Sequence, residues 1–155
     1  MSARTILVTG LGRCGTSLVM RMLAGRVPVV GSFPDFEDNV VMRLPALDAQ
    51  RDFWDRCAGR AVKLLDPHLH QPPIGLDYCC IFLTRHPVEQ AKSILKLAGA
   101  HSDRRARRAM EASVRRDTPR ARAAVERIGN GRYLHLSFEE IIHDPLAAAA
   151  RIALW

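Results

Sequence analysis

The sequence predicts an α/β fold with three layers, in which helices cover both faces of a central parallel sheet. Short apolar runs alternate along the chain with segments of helical periodicity, the order that builds parallel strands joined by helices. One run, YCCIFLTR at 78–85, is almost continuously apolar, as a strand buried on both faces should be. A glycine-rich turn joins the first run to an amphipathic segment. With 155 residues, one domain spanning 1–155 is expected.

Five apolar runs are predicted to be the strands. Glycine, proline or charged residues bound them, and Pro67 stops the third run. The runs are RTILVTG at 4–10, VPVVG at 27–31, AVKLLDP at 61–67, YCCIFLTR at 78–85 and RYLHLSF at 132–138.

Helices are predicted between these runs. The first extends from Thr16 to about Ala24, because its apolar side chains share one face. Another carries Trp54, and a third begins at Pro87, since proline is tolerated in the first turn of a helix. Asp144 is the expected N-cap of the last helix.

The segment 101–129, HSDRRARRAMEASVRRDTPRARAAVERIG, carries much of the positive charge. Two interpretations stay open: a solvated, arginine-rich pair of helices, or a basic lid over a polyanionic ligand. The formal net charge of +7 indicates an anionic partner. Nucleic acid is not expected, because the basic residues are not interleaved with aromatic ones and no zinc-finger or RNA-recognition motif is present.

The sequence predicts a cytoplasmic protein without a membrane partner. No run approaches the roughly eighteen apolar residues that cross a bilayer. The N-terminal run ILVTGLG is short, contains glycines and continues into Arg13, which is not typical of a signal peptide. The four cysteines lack C-x-x-C spacing, so neither a zinc ribbon nor a disulfide framework is supported.

The turn after the first strand, GLGRCGTS at 10–17, has the frame of a P-loop but lacks its lysine. Thr16 occupies the position at which nucleotide triphosphatases keep lysine. Backbone N–H groups at the start of a helix still make an anion site. Arg13 without a lysine favours a terminal group of low charge held without a metal, either a sulfuryl group or a mononucleotide phosphate. The fold class is therefore a three-layer fold of the P-loop type.

Charged residues stand at or near the carboxyl ends of three predicted strands. They belong to the loop at 10–17, the segment Lys63–Asp66 and Arg85. Ligands of parallel sheets bind beyond these ends. The three groups are therefore expected to meet at one site.

Three segments, in this order, resemble the sulfotransferase family that uses 3′-phosphoadenosine-5′-phosphosulfate. GLGRCGTSL is similar to the loop G-x-x-R-S-G-T-[ST]-L, which binds the 5′-phosphosulfate. IFLTRHPVEQAKSIL resembles the 3′-phosphate signature I-x-L-x-R-[DN]-P-x-[DE]-x-x-x-S. YLHLSFEEIIHDPLAAAARIALW is similar to the family's late strand, acidic turn and following helix. Together the segments span Ile6 to Trp155.

The resemblance implies sites for both ends of this cofactor and no requirement for a metal. The residues implied for the 5′-phosphosulfate are Gly12, Arg13, Cys14, Gly15, Thr16 and Ser17. Cys14 stands where the family commonly has serine. The 3′-phosphate is expected on Arg85 and Ser93, and the planar fork of arginine suits phosphate oxygens.

The resemblance also implies catalytic groups. Lys63 resembles the strand lysine that stabilises charge on the leaving phosphate oxygen. Some family members use a histidine shortly after this lysine as the base, but Leu65 stands there and His68 is out of register. Others use a glutamate after the first helix, which favours Asp35 or Glu37 in the loop SFPDFED. The identity of the base stays open.

The function implied is transfer of a sulfuryl group to a hydroxyl or amine of a small molecule or glycan. A small P-loop kinase acting on a nucleoside or metabolite, and a non-catalytic nucleotide sensor, stay open as alternatives. VKLLD read as a metal-binding strand would favour the kinase, but Lys63 interrupts its apolar run. Family members are usually longer, with a C-terminal basic-glycine loop over the 3′-phosphate. A minimal form, a fragment, or replacement of that loop by Arg104–Arg127 are all open.

Overall fold

Four parallel strands form the central sheet of the structure, a computed structural model that describes residues 4–36 and 47–155. The strands of this part of the chain are β1 (Thr5–Gly10), β2 (Ala61–Leu65), β3 (Tyr78–Thr84) and β4 (Tyr133–Ser137). Their order is β2-β1-β3-β4. Gly10 pairs in register with both Leu65 and Leu83, so the carboxyl ends of three strands lie at the same edge.

Helices connect the strands and follow the last one. They are α1 (Thr16–Leu23), α2 (Leu47–Arg56), α3 (Pro87–Leu97), α4 (Arg104–Ile128), α5 (Phe138–His143) and α6 (Pro145–Leu154). Within the two described ranges, none of these helices has the length and apolar character needed to cross a membrane.

Each face of the sheet has its own core, because successive strand residues point to opposite faces. Helices α2 and α4 cover one face, where the buried residues include Leu7, Val62, Cys80, Phe82, Trp54 and Val125. Helices α1, α5 and α6 cover the other face, where the buried residues include Val8, Ile81, Leu83, Val19, Ile141 and Ala148. The prediction of a three-layer α/β fold with a parallel sheet is confirmed.

The strand predicted at 27–31 is wrong, because this segment makes only an isolated parallel bridge between Val29 and Ala61. The N–H of Ala61 donates to the carbonyl of Pro28, and the N–H of Val30 donates to the carbonyl of Ala61. Pro28 has no N–H of its own, and Gly31 turns the chain with a φ of 73°. The segment is therefore too short to extend the sheet beyond β2.

The arginine-rich segment forms a single helix, α4, so the interpretation as a helix pair is wrong. The carboxylate of Asp103 caps this helix by accepting hydrogen bonds from the N–H groups of Arg105 and Ala106. Pro119 lies inside the helix without ending it. Packing on the sheet compensates for the N–H that proline lacks, and the residues that α4 buries are Val114, Ala121, Ala124 and Val125.

The run predicted as a strand at 132–138 ends at Ser137, and Phe138 already belongs to α5. The hydroxyl of Ser137 accepts from the N–H of Glu140, and the carboxylate of Glu140 accepts from the N–H of Ser137. This reciprocal capping box stops the strand and starts the helix. Asp144 caps α6, as predicted, by accepting from the N–H of Ala147.

Candidate functional site

A cavity of about 630 Å³ opens at the carboxyl edge of the sheet. It is lined by the loop between β1 and α1, by the end of β2 and by Arg85, which follows β3. Its charged lining residues are Arg13, Asp35, Lys63, Asp66, Arg85 and Asp117. The three groups expected to meet at the strand ends therefore do line one cavity.

The loop presents backbone to this cavity. Arg13 and Gly15 have φ values of 67° and 103°, which reverse the chain just before α1 begins at Thr16. No side chain caps the start of α1, so its first N–H groups are left for another acceptor. A Cβ at Gly15 would lie 2.9 Å from the ring of Phe138. The loop thus has the backbone arrangement of an anion cradle.

Lys63 is buried beside this loop, with only 5% of its surface exposed. Its Nζ donates to the hydroxyl of Ser17 at 2.9 Å and to the backbone carbonyl of Asp35 at 3.2 Å. The ammonium group of β2 therefore joins the start of α1 to the segment after it. Lys63 and the loop that contains Ser17 were expected at one site because both follow strand ends. In the structure the two side chains are hydrogen-bonded to each other.

Arg85 and Ser93 are linked through Arg13. The guanidinium of Arg13 donates to the hydroxyl of Ser93 at 3.0 Å, and that of Arg85 donates to the carbonyl of Arg13 at 3.3 Å. Arg85 also lies over the ring of Phe138, 4.3 Å from its centroid. Its Nε is buried without a hydrogen-bond partner among the described residues.

Two further hydrogen bonds hold the surroundings of the cavity: one involves the loop after β1, and the other involves the segment after β3. The amide of Gln90, in α3, is buried and donates to the carbonyl of Gly12 at 2.8 Å. The carboxylate of Glu139 accepts from the N–H of His86 at 2.9 Å. Neither Gln90 nor Phe138 was singled out from the sequence, because only the fold brings α3 and α5 against the loop.

Cys14 differs from the other loop residues. Its side chain is fully buried in the core with Val8 and Val19 and does not line the cavity. Burial raises the pKa of this thiol to about 12. The predicted role of Cys14 in holding the cofactor is therefore restricted to its backbone.

The three predicted bases, Asp35, Glu37 and His68, differ in their position relative to the cavity. Asp35 lines the cavity and is exposed. Glu37 lies outside the described residues. His68 is half-buried but is not among the residues that line the cavity, and its Nδ1 is buried without a hydrogen-bond partner among the described residues. Of the three, Asp35 is the one that the structure places at the site.

Asp66 is a cavity carboxylate that the sequence analysis placed at the strand-end site and considered as a metal ligand, but did not consider as a base. It follows β2 directly, with a φ of 52°, and is half-buried. Burial raises the pKa of its carboxyl group, and the nearby His68 and His70 oppose that rise. Its place at the end of the Lys63 strand is the signal by which the sequence analysis expected it near this site, and the structure places it in the cavity lining.

Helix α4 closes the cavity with side chains that are not arginines. They are Met110, Ser113, Val114 and Asp117. The side chain of Asp117 accepts from Arg116, Ser113 and Arg120, and these bonds hold the pKa of its carboxyl group well below the usual range. The arginines of this helix are not among the residues that line the cavity, and the basic lid considered for the segment stays a prediction.

Neither protein-family profiles nor curated protein sequences give a match, whereas solved structures do. A crystal structure of retinol dehydratase with androsterone and inactive cofactor PAP matches 96% of this chain, with a TM-score of 0.57 and 20% identity. A second, of retinol dehydratase with retinol and PAP, matches 97% with a TM-score of 0.56 and 19% identity. This chain has a sulfotransferase-like fold.

At this level of identity the similarity shows the fold alone. The chain spans 58% and 59% of the lengths of the two retinol dehydratase chains. Among residues 4–36 and 47–155, no three histidine, cysteine, aspartate or glutamate side chains are grouped as ligands for a metal ion.

The raised pKa of Asp66 predicts a pH-dependent gain in stability for Asp66→Asn. The folded state binds this proton more tightly than the unfolded state, so ionisation as the pH rises destabilises the fold. Asparagine cannot ionise and tolerates the positive φ. The variant should therefore unfold at higher denaturant concentration than the parent at pH 7, and the difference should shrink as the pH falls towards the ordinary aspartate pKa.

Denaturant unfolding followed by circular dichroism at several pH values measures this difference. Asp55→Asn, at an exposed position of α2, is the matched control and should change little. If the stability difference between Asp66→Asn and the parent stayed constant or grew at acidic pH, the destabilisation could not be assigned to the ionised carboxylate.

Proposed function

We propose that this chain transfers a sulfuryl group from 3′-phosphoadenosine-5′-phosphosulfate to a hydroxyl or amine acceptor. The observation that carries the proposal is the single cavity shared by the β1–α1 loop, Lys63 and Arg85. A backbone cradle and a separate arginine suit a donor substrate with anionic groups at two positions. Both retinol dehydratase structures contain PAP, which is 3′-phosphoadenosine-5′-phosphate, the donor without its sulfuryl group. Its presence there supports this choice of donor.

Two sets of hydrogen-bonding groups in this chain bind the two ends of the sulfuryl donor. The N–H groups of the loop and the hydroxyl of Ser17 hold the 5′-phosphosulfate. Arg85 and Ser93, joined by Arg13, hold the 3′-phosphate. The buried Nε of Arg85 supports this assignment, because a buried donor without a protein partner is rare and a phosphate oxygen would satisfy it.

Lys63 stabilises the charge that develops during transfer. The acceptor oxygen or nitrogen forms a bond to sulfur while the bond from sulfur to the bridging oxygen breaks. The electron pair of that bond goes to the 5′-phosphate. The ammonium of Lys63 lies against the loop, 2.9 Å from the hydroxyl of Ser17, where it stabilises this leaving oxygen in a low-dielectric site.

Asp66 takes the acceptor's proton in this proposal. A general base works best when its pKa lies near the working pH, and burial raises the pKa of Asp66 in that direction. Asp35 also lines the cavity, but its side chain is exposed. Asp35, Glu37 and His68 stay the candidates predicted from the sequence, and the pH dependence of the rate in amide variants distinguishes the first two from Asp66.

The donor assignment predicts that PAP binds without metal and more tightly than AMP, which lacks the 3′-phosphate. Arg85→Ala should weaken PAP binding by roughly 1.5–3 kcal/mol, the range for a charge-assisted hydrogen bond, and leave AMP binding almost unchanged. Calorimetric titration of both nucleotides measures this, with Arg26→Ala at an exposed position as the control. Equal affinities of the parent for PAP and AMP would refute the 3′-phosphate site.

The role of Lys63 predicts a larger effect on turnover than on donor binding. Lys63→Met preserves a side chain of similar length in the buried site and removes the charge. Turnover should fall by about 10²–10³, because charge on the leaving oxygen grows only in the transition state. PAP affinity should change only a few-fold. Loss of PAP binding equal to the loss of turnover would assign Lys63 to ground-state binding instead.

The base assignment predicts which variant alters the pH–rate profile. A base must be ionised, so the rate of the parent falls as the pH drops below the base's pKa. Asp66→Asn should remove this acidic limb and lower the rate by about 10²–10⁴, whereas Asp35→Asn and Glu37→Gln should retain the limb. If Asp35→Asn or Glu37→Gln removes it instead, that residue is the base. If PAP binds but no acceptor supports turnover in the parent, the nucleotide-sensor alternative replaces the enzyme.

A further inference from the structure

A groove of about 320 Å³ lies between α3 and α4, on faces of the two helices other than those that line the cavity. The groove and the cavity share no lining residue. Val88 and Ala91 of α3 form the apolar part of the groove. Its charged lining residues are Lys92, Arg104, Arg107, Arg108 and Glu111.

The cations of the groove exceed the anions that could neutralise them. Lys92 pairs with Glu89 at 2.8 Å, and Glu111 pairs with Arg115 at 2.8 Å. The guanidinium groups of the remaining arginines form no ion pair or hydrogen bond with another residue of the described ranges. They are Arg104, Arg107 and Arg108.

These arginines concentrate positive charge at the N-terminal end of α4, where the cap residue Asp103 contributes one carboxylate. All three lie in the first two turns of α4, whose first turn contains no acidic residue. Cations at this end interact unfavourably with the helix dipole. Arg104 and Arg108 also repel each other at the i,i+4 spacing. A bound anion would relieve both effects.

We propose that this groove binds a sulfated polysaccharide. Guanidinium forks bind paired oxygens of oxyanions, and three of them along one groove suit a linear chain with repeated anionic groups. A membrane surface is less suitable, because it is flat and the cations line a concave surface. Single-stranded nucleic acid is less suitable because no aromatic side chain lines the groove for base stacking. The proposal does not depend on the catalytic function.

The test compares two triple variants with the same change in net charge. Arg104→Gln/Arg107→Gln/Arg108→Gln removes the groove cations. Arg26→Gln/Arg51→Gln/Arg127→Gln removes exposed cations elsewhere. Binding of a fluorescent heparin oligosaccharide is measured by polarisation at several salt concentrations. The groove variant should bind at least tenfold more weakly than the parent, with a salt dependence shallower by about two, and the scattered variant less than threefold more weakly.

Folding of the groove variant is not expected to fail, because the arginines it replaces are unfavourable at these positions. Its thermal unfolding midpoint should equal or exceed that of the parent. If both variants lost the same heparin affinity, the effect would be one of net charge alone and the proposal would be overturned. Absence of heparin binding by the parent would also overturn it. Polyuridylate or phosphatidylserine vesicles that bind the parent more tightly than heparin, through the same arginines, would also overturn it.

Discussion

The arrangement of the site depends on the burial of one ammonium group, that of Lys63. A charged group that is 5% exposed is costly unless its protons are hydrogen-bonded. The bonds to Ser17 and to the carbonyl of Asp35 come from the start of α1 and from the segment that follows it. Satisfying Lys63 therefore fixes the loop, the strand β2 and the segment at 33–36 relative to one another. The candidate anion site is thereby assembled from three separate parts of the chain.

The topology explains why these parts meet. From β1 the chain crosses to β2 on one side and then returns to β3 on the other, so the crevice beyond β1 is not covered by a direct connection. The loop after β1 and Arg85 after β3 face this crevice. The first turn of α5 then closes it, because Phe138 contacts Gly15 and lies under the guanidinium of Arg85.

Local patterns were sufficient for the parts of the fold that depend on neighbouring residues. The loop and its helix, the strand at 78–84 and the cap at Asp144 follow from glycine spacing, apolar runs and capping residues, and the structure has them. The segment at 27–31 has the composition of a strand, but Pro28 and Gly31 leave it only one bridge. Helix α4 was divided in the prediction because Pro119 and the polar residues around it conceal a buried stripe that only the sheet makes favourable. The site shows the same limit: Lys63 and Arg85 are marked by strand ends, whereas Gln90, Phe138 and Asp117 reach the loop and cavity through tertiary packing.

The contact of Phe138 with Gly15 has a consequence for the order in which the molecule is assembled. The residues of the loop are synthesised before the ring that closes it, because that ring belongs to α5, which follows β4. All the strand pairs are parallel and join distant segments, a topology of high contact order that folds slowly. A nascent chain that includes β1 to β3 already contains the loop, Lys63 and Arg85, but it still lacks the ring of Phe138 that packs against the loop and Arg85. Completion of the candidate anion site is therefore a late folding event that follows the docking of β4.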